Sequence, residues 1–215
     1  LLLGPTAERV ETPDNTETPA GGLKTVAELA KKSVPSVNTR AVITSFSGVR
    51  ASEKSGDFII KESEKVKGLI HAAAIDSPGL SSSAAIAEYI AGLLEKSGLE
   101  LTENPDFNGT REDTHAFKKM SDEEKDEYIK KNPAYGRIIC RCETVSEGEI
   151  IDALRRNPKA TDIDGVKRRT RAGMGRCQGG FCMPYVMRLI EKETGKPMTE
   201  ITKKGGKSNT VTGRL

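Results

Sequence analysis

The placement of four cysteines constrains this chain more than any other feature. Cys140 and Cys142 lie in "RIICRCETVSEGEI" (137–150), and Cys177 and Cys182 in "GRCQGGFC" (175–182). The pattern is C-x-C, 34 residues, then C-x4-C. In extended backbone, residues i and i+2 point the same way, so Cys140 and Cys142 can converge. On one continuous helix the second pair would diverge by about 140°, at 3.6 residues per turn. The pair converges only if Cys177 precedes the helix and Cys182 falls in its first turns. "QGG" between them supplies permissive backbone. The start of that helix would then turn free N–H groups toward an anionic centre.

Disulfide, zinc site, iron–sulfur site and inert buried thiols are all compatible with four cysteines. No apolar run approaches a membrane span, and "LLLG" lacks the charged flank and length of a leader. The expectation is therefore a cytoplasmic chain, where thiols serve metal or redox chemistry more often than disulfides. All-cysteine zinc sites favour C-x2–4-C pairs over C-x-C. An all-thiolate [2Fe–2S] centre is negative, and the stretch 155–176 is basic. It carries Arg155, Arg156, Lys159, Lys167, Arg168, Arg169, Arg171 and Arg176 against Asp162 and Asp164. Such a collar would stabilise the centre. The rival use of these cations is a nucleic-acid patch, but interleaved aromatics are missing. With 35% hydrophobic and 30% charged residues and a net charge of +3, the chain is polar yet not disordered.

The expected class is α+β. Apolar spacing predicts helices over 23–33, 76–98, 121–132, 146–157, 164–175 and 180–195. Capping boxes mark two of these, Ser121 with Glu124 and Ser146 with Glu149. "LLLGPT", "TRAVITSFSGVRA" (39–51), "DFIIKES" (57–63) and "GLIHAAAI" (68–75) predict strands. Residues 102–136 predict a connecting segment with a short charged helix, and 201–215 a mobile tail.

"GRIICRCETVSEGEI" and "DGVKRRTRAGMGRCQGGFC" resemble the bacterioferritin-associated-ferredoxin-like [2Fe–2S] domain, over about residues 137–195. The resemblance implies a small all-helical domain, placed at 137–200, in which Cys140, Cys142, Cys177 and Cys182 ligate one cluster. C-x4-C departs from the C-x2-C of the short ferredoxins and is similar to the version fused to flavin-dependent dehydrogenases. Zinc stands as the secondary occupant.

"FSGVRAS", "GDFIIKES" and "HAAAIDSPGLSSSAAIAEYIAGLL" resemble the C-terminal part of the D-amino-acid-oxidase-type flavoproteins, here 1–101. Within that group they are most similar to anaerobic-type FAD-dependent glycerol-3-phosphate dehydrogenases. The resemblance implies a partial sheet-plus-helix flavoprotein unit with the flavin ring beside Pro78, Gly79, Leu80 and Ser81. A strand–turn–helix join there would offer bare amides to the electron-rich edge of the ring. Arg50 stands where the family's Gly-x-Arg arginine holds the substrate's phosphate or carboxylate. His71 is a secondary candidate, and His115 has no assigned role.

The implied activity is hydride transfer from glycerol 3-phosphate to FAD. Electrons then pass through the cluster to an acceptor protein or quinone-linked subunit, which could hold the protein at a membrane. A 2-hydroxy acid or amino acid is the alternative substrate, and a metal-binding interaction module is the non-enzyme alternative. No G-x-G-x-x-G follows a strand, so the dinucleotide-binding half is expected elsewhere and this chain alone is expected to be inactive. "GGKS" (205–208) lacks the earlier glycine of a phosphate loop.

Overall fold

A computed structural model of the chain describes residues 1–110 and 117–213. His115 lies outside the described residues. Contacts divide the chain into two units, Leu1–Gly109 and Thr110–Leu215.

The first unit contains α1 (Ala20–Ser33), the strands β1 (Ile59–Glu62) and β2 (Ile70–Ala73), and α2 (Gly79–Lys96). The strands pair antiparallel, with Ile59 opposite Ala73 and Lys61 opposite His71. Helix α2 packs on this two-stranded sheet. Two expected strands are absent. Residues 1–10 carry no regular structure, and 39–51 hold only a 3-10 turn at Thr39–Ala41. The β-branched run has strand propensity but no ladder partner, and Val42, Ile43, Phe46 and Val49 are exposed. Among the described residues of this unit only Gly79 is buried. A Cβ at Gly79 would come within 2.5 Å of Ile75 Cγ2, so the turn into α2 admits no side chain there without displacing Ile75.

The second unit carries the core. It contains α3 (Asp122–Lys131), β3 (Ile138–Cys140), β4 (Val145–Ser146), α4 (Glu147–Arg155), α5 (Ile163–Thr170) and α6 (Met183–Thr194). Ile150, Val166 and Ile190, one from each of α4, α5 and α6, are fully buried. Each such side chain stabilises by about 1.5–3 kcal/mol relative to exposure. The domain is not all-helical, because β3 and β4 pair antiparallel around a bulge and carry the first cysteine. Both capping boxes form as expected. Helix α5 closes on Arg171 as its C-cap, with φ +70°, short of the predicted 164–175. An ion pair from Arg171 Nε to Glu143 Oε2 (2.8 Å) holds that turn.

Two stretches expected to run free are packed. Phe117 and Tyr135 are buried at 6% and 4% exposure, with ring centroids 6.1 Å apart. The Phe117 amide donates to Glu149, and the Tyr135 hydroxyl donates to Asp152. Burial, then Asp152, pushes the Tyr135 phenol above its ordinary value. Residues 117–136 are therefore part of the second unit rather than a bare connection. The expected mobile tail is likewise anchored. Ile201 is 1% exposed, the amides of Ile163 and Asp164 donate to the carbonyls of Thr202 and Lys203, and Val211 packs against the core. Its polar composition hid two apolar anchors ten residues apart.

Candidate metal centre and cavity

The four thiols come together from the bulged β3–β4 pair and from the start of α6. Cys140 ends β3, where pairing buries it to 1% exposure. Cys142 follows on the turn and is exposed. Cys177 lies on the loop before α6, and Cys182 is the N-cap of α6, 2% exposed. Both members of the second pair thus precede the first turn of α6, whereas the five-residue gap predicts Cys182 inside it.

The thiols approach in pairs. Cys142 Sγ and Cys177 Sγ are 3.6 Å apart. Two thiolates sharing one tetrahedral ion at about 2.3 Å would be separated by about 3.7 Å. The backbone of Phe181 first, then the Cys142 side chain, hold the Cys177 thiol below its ordinary value. These groups belong to the loop before α6 rather than to the helix start expected from the sequence. Burial, with Cys140 alongside, pushes the Cys182 thiol up to about 12. The site therefore has an accessible side at Cys142 and Cys177 and a buried side at Cys140 and Cys182. Among the described residues, no three His, Cys, Asp or Glu side chains gather closely enough to hold one metal ion. The donor set, four thiols with one pair at 3.6 Å, fits a two-iron cluster.

Two neighbours of the centre escaped the sequence reading. A Cβ on Gly175 would lie 2.3 Å from Cys142 Cβ, so the bare Gly175 lets the two loops close on each other. Glu143 takes Arg171 in an ion pair. The expected basic collar is also largely spoken for. Arg155 pairs with Glu193, Lys167 with Asp164 and Arg168 with Asp162, while Arg169 donates to the carbonyls of Gly165 and Pro158. Glu143 and Glu193 lie outside the 155–176 window, so linear counting overstated the local positive charge.

The other candidates gather in the first unit. Arg50 and Pro78, Gly79, Leu80 and Ser81 line one open cavity of about 520 Å³, joined by Ile75, Asp76 and Ser77. His71 is not among the lining residues and sits in β2 opposite Lys61. Helix α2 begins after Pro78 without a side-chain cap, and the Ser81 and Ser82 hydroxyls donate back to the Pro78 carbonyl. The first turn of α2 thus opens on the cavity uncapped, with one guanidinium on the same wall. These residues fit one polar edge of a flavin and an anionic group beside it.

Comparison with known proteins agrees with this division. Residues 138–192 match the BFD-like [2Fe-2S] binding domain, and residues 1–93 match FAD dependent oxidoreductase. The C-terminal part is thus similar to the BFD-like [2Fe-2S] binding domain and the N-terminal part to FAD dependent oxidoreductase. It is 44% identical over 213 residues to a glycerol 3-phosphate dehydrogenase of Caloramator mitchellensis, covering 99% of this chain and 44% of that protein. It is 29% identical to the anaerobic glycerol-3-phosphate dehydrogenase subunit A1 of Haloferax volcanii, covering 84% of this chain and 36% of the relative. A shorter match, 48% over 59 residues, covers 27% of this chain and 12% of the hydrogen cyanide synthase subunit HcnB of Pseudomonas aeruginosa. The chain spans under half the length of these curated relatives. No solved structure matches. The two domains imply FAD and a [2Fe–2S] cluster as cofactors. Among the described residues no helix is long and apolar enough to cross a membrane.

Proposed function

We propose that this chain serves an FAD-dependent glycerol-3-phosphate dehydrogenase, which oxidises glycerol 3-phosphate to dihydroxyacetone phosphate. Within it, the chain supplies the substrate side of the flavin site and the electron exit. The set of four cysteines, with Cys142 and Cys177 3.6 Å apart, carries this reading, in a chain similar over 99% of its length to a glycerol 3-phosphate dehydrogenase. Bound flavin supplies hydride acceptance and the bound cluster supplies one-electron exit.

The chain's own residues do the rest. Cys142 and Cys177 hold the accessible side of the cluster, and Cys140 and Cys182 the buried side. The backbone of Phe181, Gly179 and Gly180 stabilises negative charge on the Cys177 sulfur. Arg50 holds the substrate's phosphate through parallel N–H donors. The uncapped start of α2 at Pro78, Gly79, Leu80 and Ser81 would face the flavin's pyrimidine edge. An acceptor protein or quinone-linked subunit would take up the electrons at the accessible Cys142 and Cys177 side.

Anaerobic purification followed by iron, sulfide and zinc assay tests the reading. Two irons and two sulfides per chain are expected, with loss of the visible spectrum in Cys142→Ser. One zinc per chain and no colour after reconstitution would overturn it. In an enzyme containing this chain, Arg50→Ala should raise the KM for glycerol 3-phosphate by roughly 10–100-fold, the scale of one charged hydrogen-bonded contact. An unchanged KM would remove Arg50 from the substrate site.

A further inference from the structure

One helix face next to the thiols is not used by any function derived so far. Phe181, Tyr185, Arg188 and Lys192 follow one another at spacings of four, three and four residues. Tyr185, Arg188 and Lys192 therefore share one stripe along α6, and Phe181 stands two residues before its first turn. Phe181 is 80% exposed although it is apolar, and Tyr185 is 44% exposed. Phe181 stands at the metal centre, because it directly precedes Cys182. Arg188 lies over the Tyr185 ring, 5.8 Å from its centroid. Among the described residues, no carboxylate lies within 4.0 Å of the charged groups of Arg188 or Lys192, unlike Arg155, Lys167, Arg168 and Arg171 of the 155–176 run. Tyr185, Arg188 and Lys192 form one wall of a groove of about 260 Å³, whose other wall carries Arg137 and Glu147.

Charge selects what could lie here. Residues 1–109 hold eleven Lys and Arg against fifteen Asp and Glu, a net −4, whereas residues 110–215 hold 23 against 16, a net +7. Arg137 is neutralised by Glu147 at 3.0 Å, which leaves Arg188 and Lys192 to set the sign of the groove. An exposed aromatic pair with an arginine stacked on it is the composition of an interface centre, and unpaired cations at its edge are the composition of a steering rim. Small electron-transfer encounters need only such a patch.

We propose that this α6 stripe is the docking surface for the protein that accepts the electrons, and that this partner is acidic, with carboxylates ringing an apolar centre. Phe181 supplies the apolar contact nearest the thiols. Arg188 and Lys192 bring the partner in and orient it. The inference rests on the electron-exit reading above.

The test uses the anaerobically purified chain, immobilised, with an acidic flavodoxin as probe and the basic protein cytochrome c as control. Binding should occur with flavodoxin only and weaken steeply with salt. Arg188→Glu/Lys192→Glu should weaken it at least tenfold at low salt and flatten the salt dependence. Phe181→Ala should weaken it at least threefold without changing the salt slope. The matched reversal Lys204→Glu/Lys207→Glu should leave it unchanged. Equal loss in the matched reversal, or no loss in Arg188→Glu/Lys192→Glu, would overturn the proposal. So would capture by phosphatidylserine vesicles, or self-association through the same residues, in place of flavodoxin binding. Iron and sulfide are assayed on the same samples. A wild-type chain that holds two irons but binds no flavodoxin sinks the docking surface alone. A chain without iron and sulfide after anaerobic preparation removes the electron-exit reading, and the docking surface with it.

Discussion

Gly175 makes a demand on the metal centre that its neighbouring cysteines conceal. The Cys142 turn and the loop before Cys177 approach so closely that a methyl group at 175 would sit 2.3 Å from Cys142 Cβ. That contact is with a short side chain rooted in backbone, so it cannot swing aside. The Cys142–Cys177 approach of 3.6 Å depends on it. Gly175→Ala should therefore weaken cluster retention by about 10–100-fold, the scale seen when supporting residues of a metal site are changed. Helix content should stay unchanged. Iron remaining after a timed chelator challenge, read beside far-ultraviolet circular dichroism, checks both halves. Wild-type retention would show that the loops can separate at no cost. The cysteines were legible because ligand chemistry and spacing are local properties of a sequence. Gly175 and Glu143 were not, because their roles exist only where two chain segments 30 residues apart meet.

At the scale of elements, helix starts were legible wherever the signal is self-contained. Ser146 and Glu149 form their capping box on α4 as the motif requires, and Ser146 is fully buried. Its hydroxyl accepts from the Glu149 amide and donates to the Glu149 carboxylate, whose other oxygen takes the Phe117 amide. Ser146→Ala should cost about 1–2 kcal/mol, toward the upper end for a cap because the Glu149 carboxylate also loses a donor. Thermal unfolding followed at 222 nm checks this. A loss under about 0.5 kcal/mol would mean that the box is not used.

The tail shows the opposite case, an element invisible to composition. Its clasp is Asp164, whose carboxylate accepts both from Lys203 at 2.9 Å and from Lys167 at 3.1 Å. Burial alone would raise this carboxyl, but the two ammonium groups outweigh it and hold its pKa below the ordinary value. A depressed folded pKa means that the clasp stabilises fully above the unfolded carboxyl value, near 3.9 for Asp. The stabilisation is lost as pH falls through the folded value. Asp164→Asn should lower stability at pH 7, and the gap from wild type should close only below about pH 4. Unfolding midpoints between pH 3 and pH 7 would reveal it. A gap that persisted at pH 3 would point to packing rather than charge.

For the whole molecule, the two units differ in the one quantity that sets stability. All buried apolar side chains among the described residues, from Phe117 to Ile201, belong to the second unit. The first unit holds a two-stranded sheet and two helices, yet Leu23, Leu29, Leu80, Tyr89, Leu99 and Leu101 are all exposed. A two-stranded sheet is marginal in water without a covered face, and local opening costs little where few apolar groups are buried. The α+β class could be read from the sequence because both periodicities are present. The contrast between the units could not, because apolar spacing shows which face of α2 would be buried but not whether anything covers it. Hydrogen exchange on the 215-residue chain turns this into a measurement. Amides of α4, α5 and α6 should exchange with opening free energies near the global value, in the range of about 5–15 kcal/mol. Amides of β1, β2 and α2 should exchange within about 2 kcal/mol of the unprotected rate. Protection of α2 equal to that of α6 would mean that the first unit gains its core from a contact beyond its own residues. The cavity at Arg50 and Pro78–Ser81 would then be rigid before any ligand arrives. Unequal protection makes that cavity a site whose order depends on what fills it.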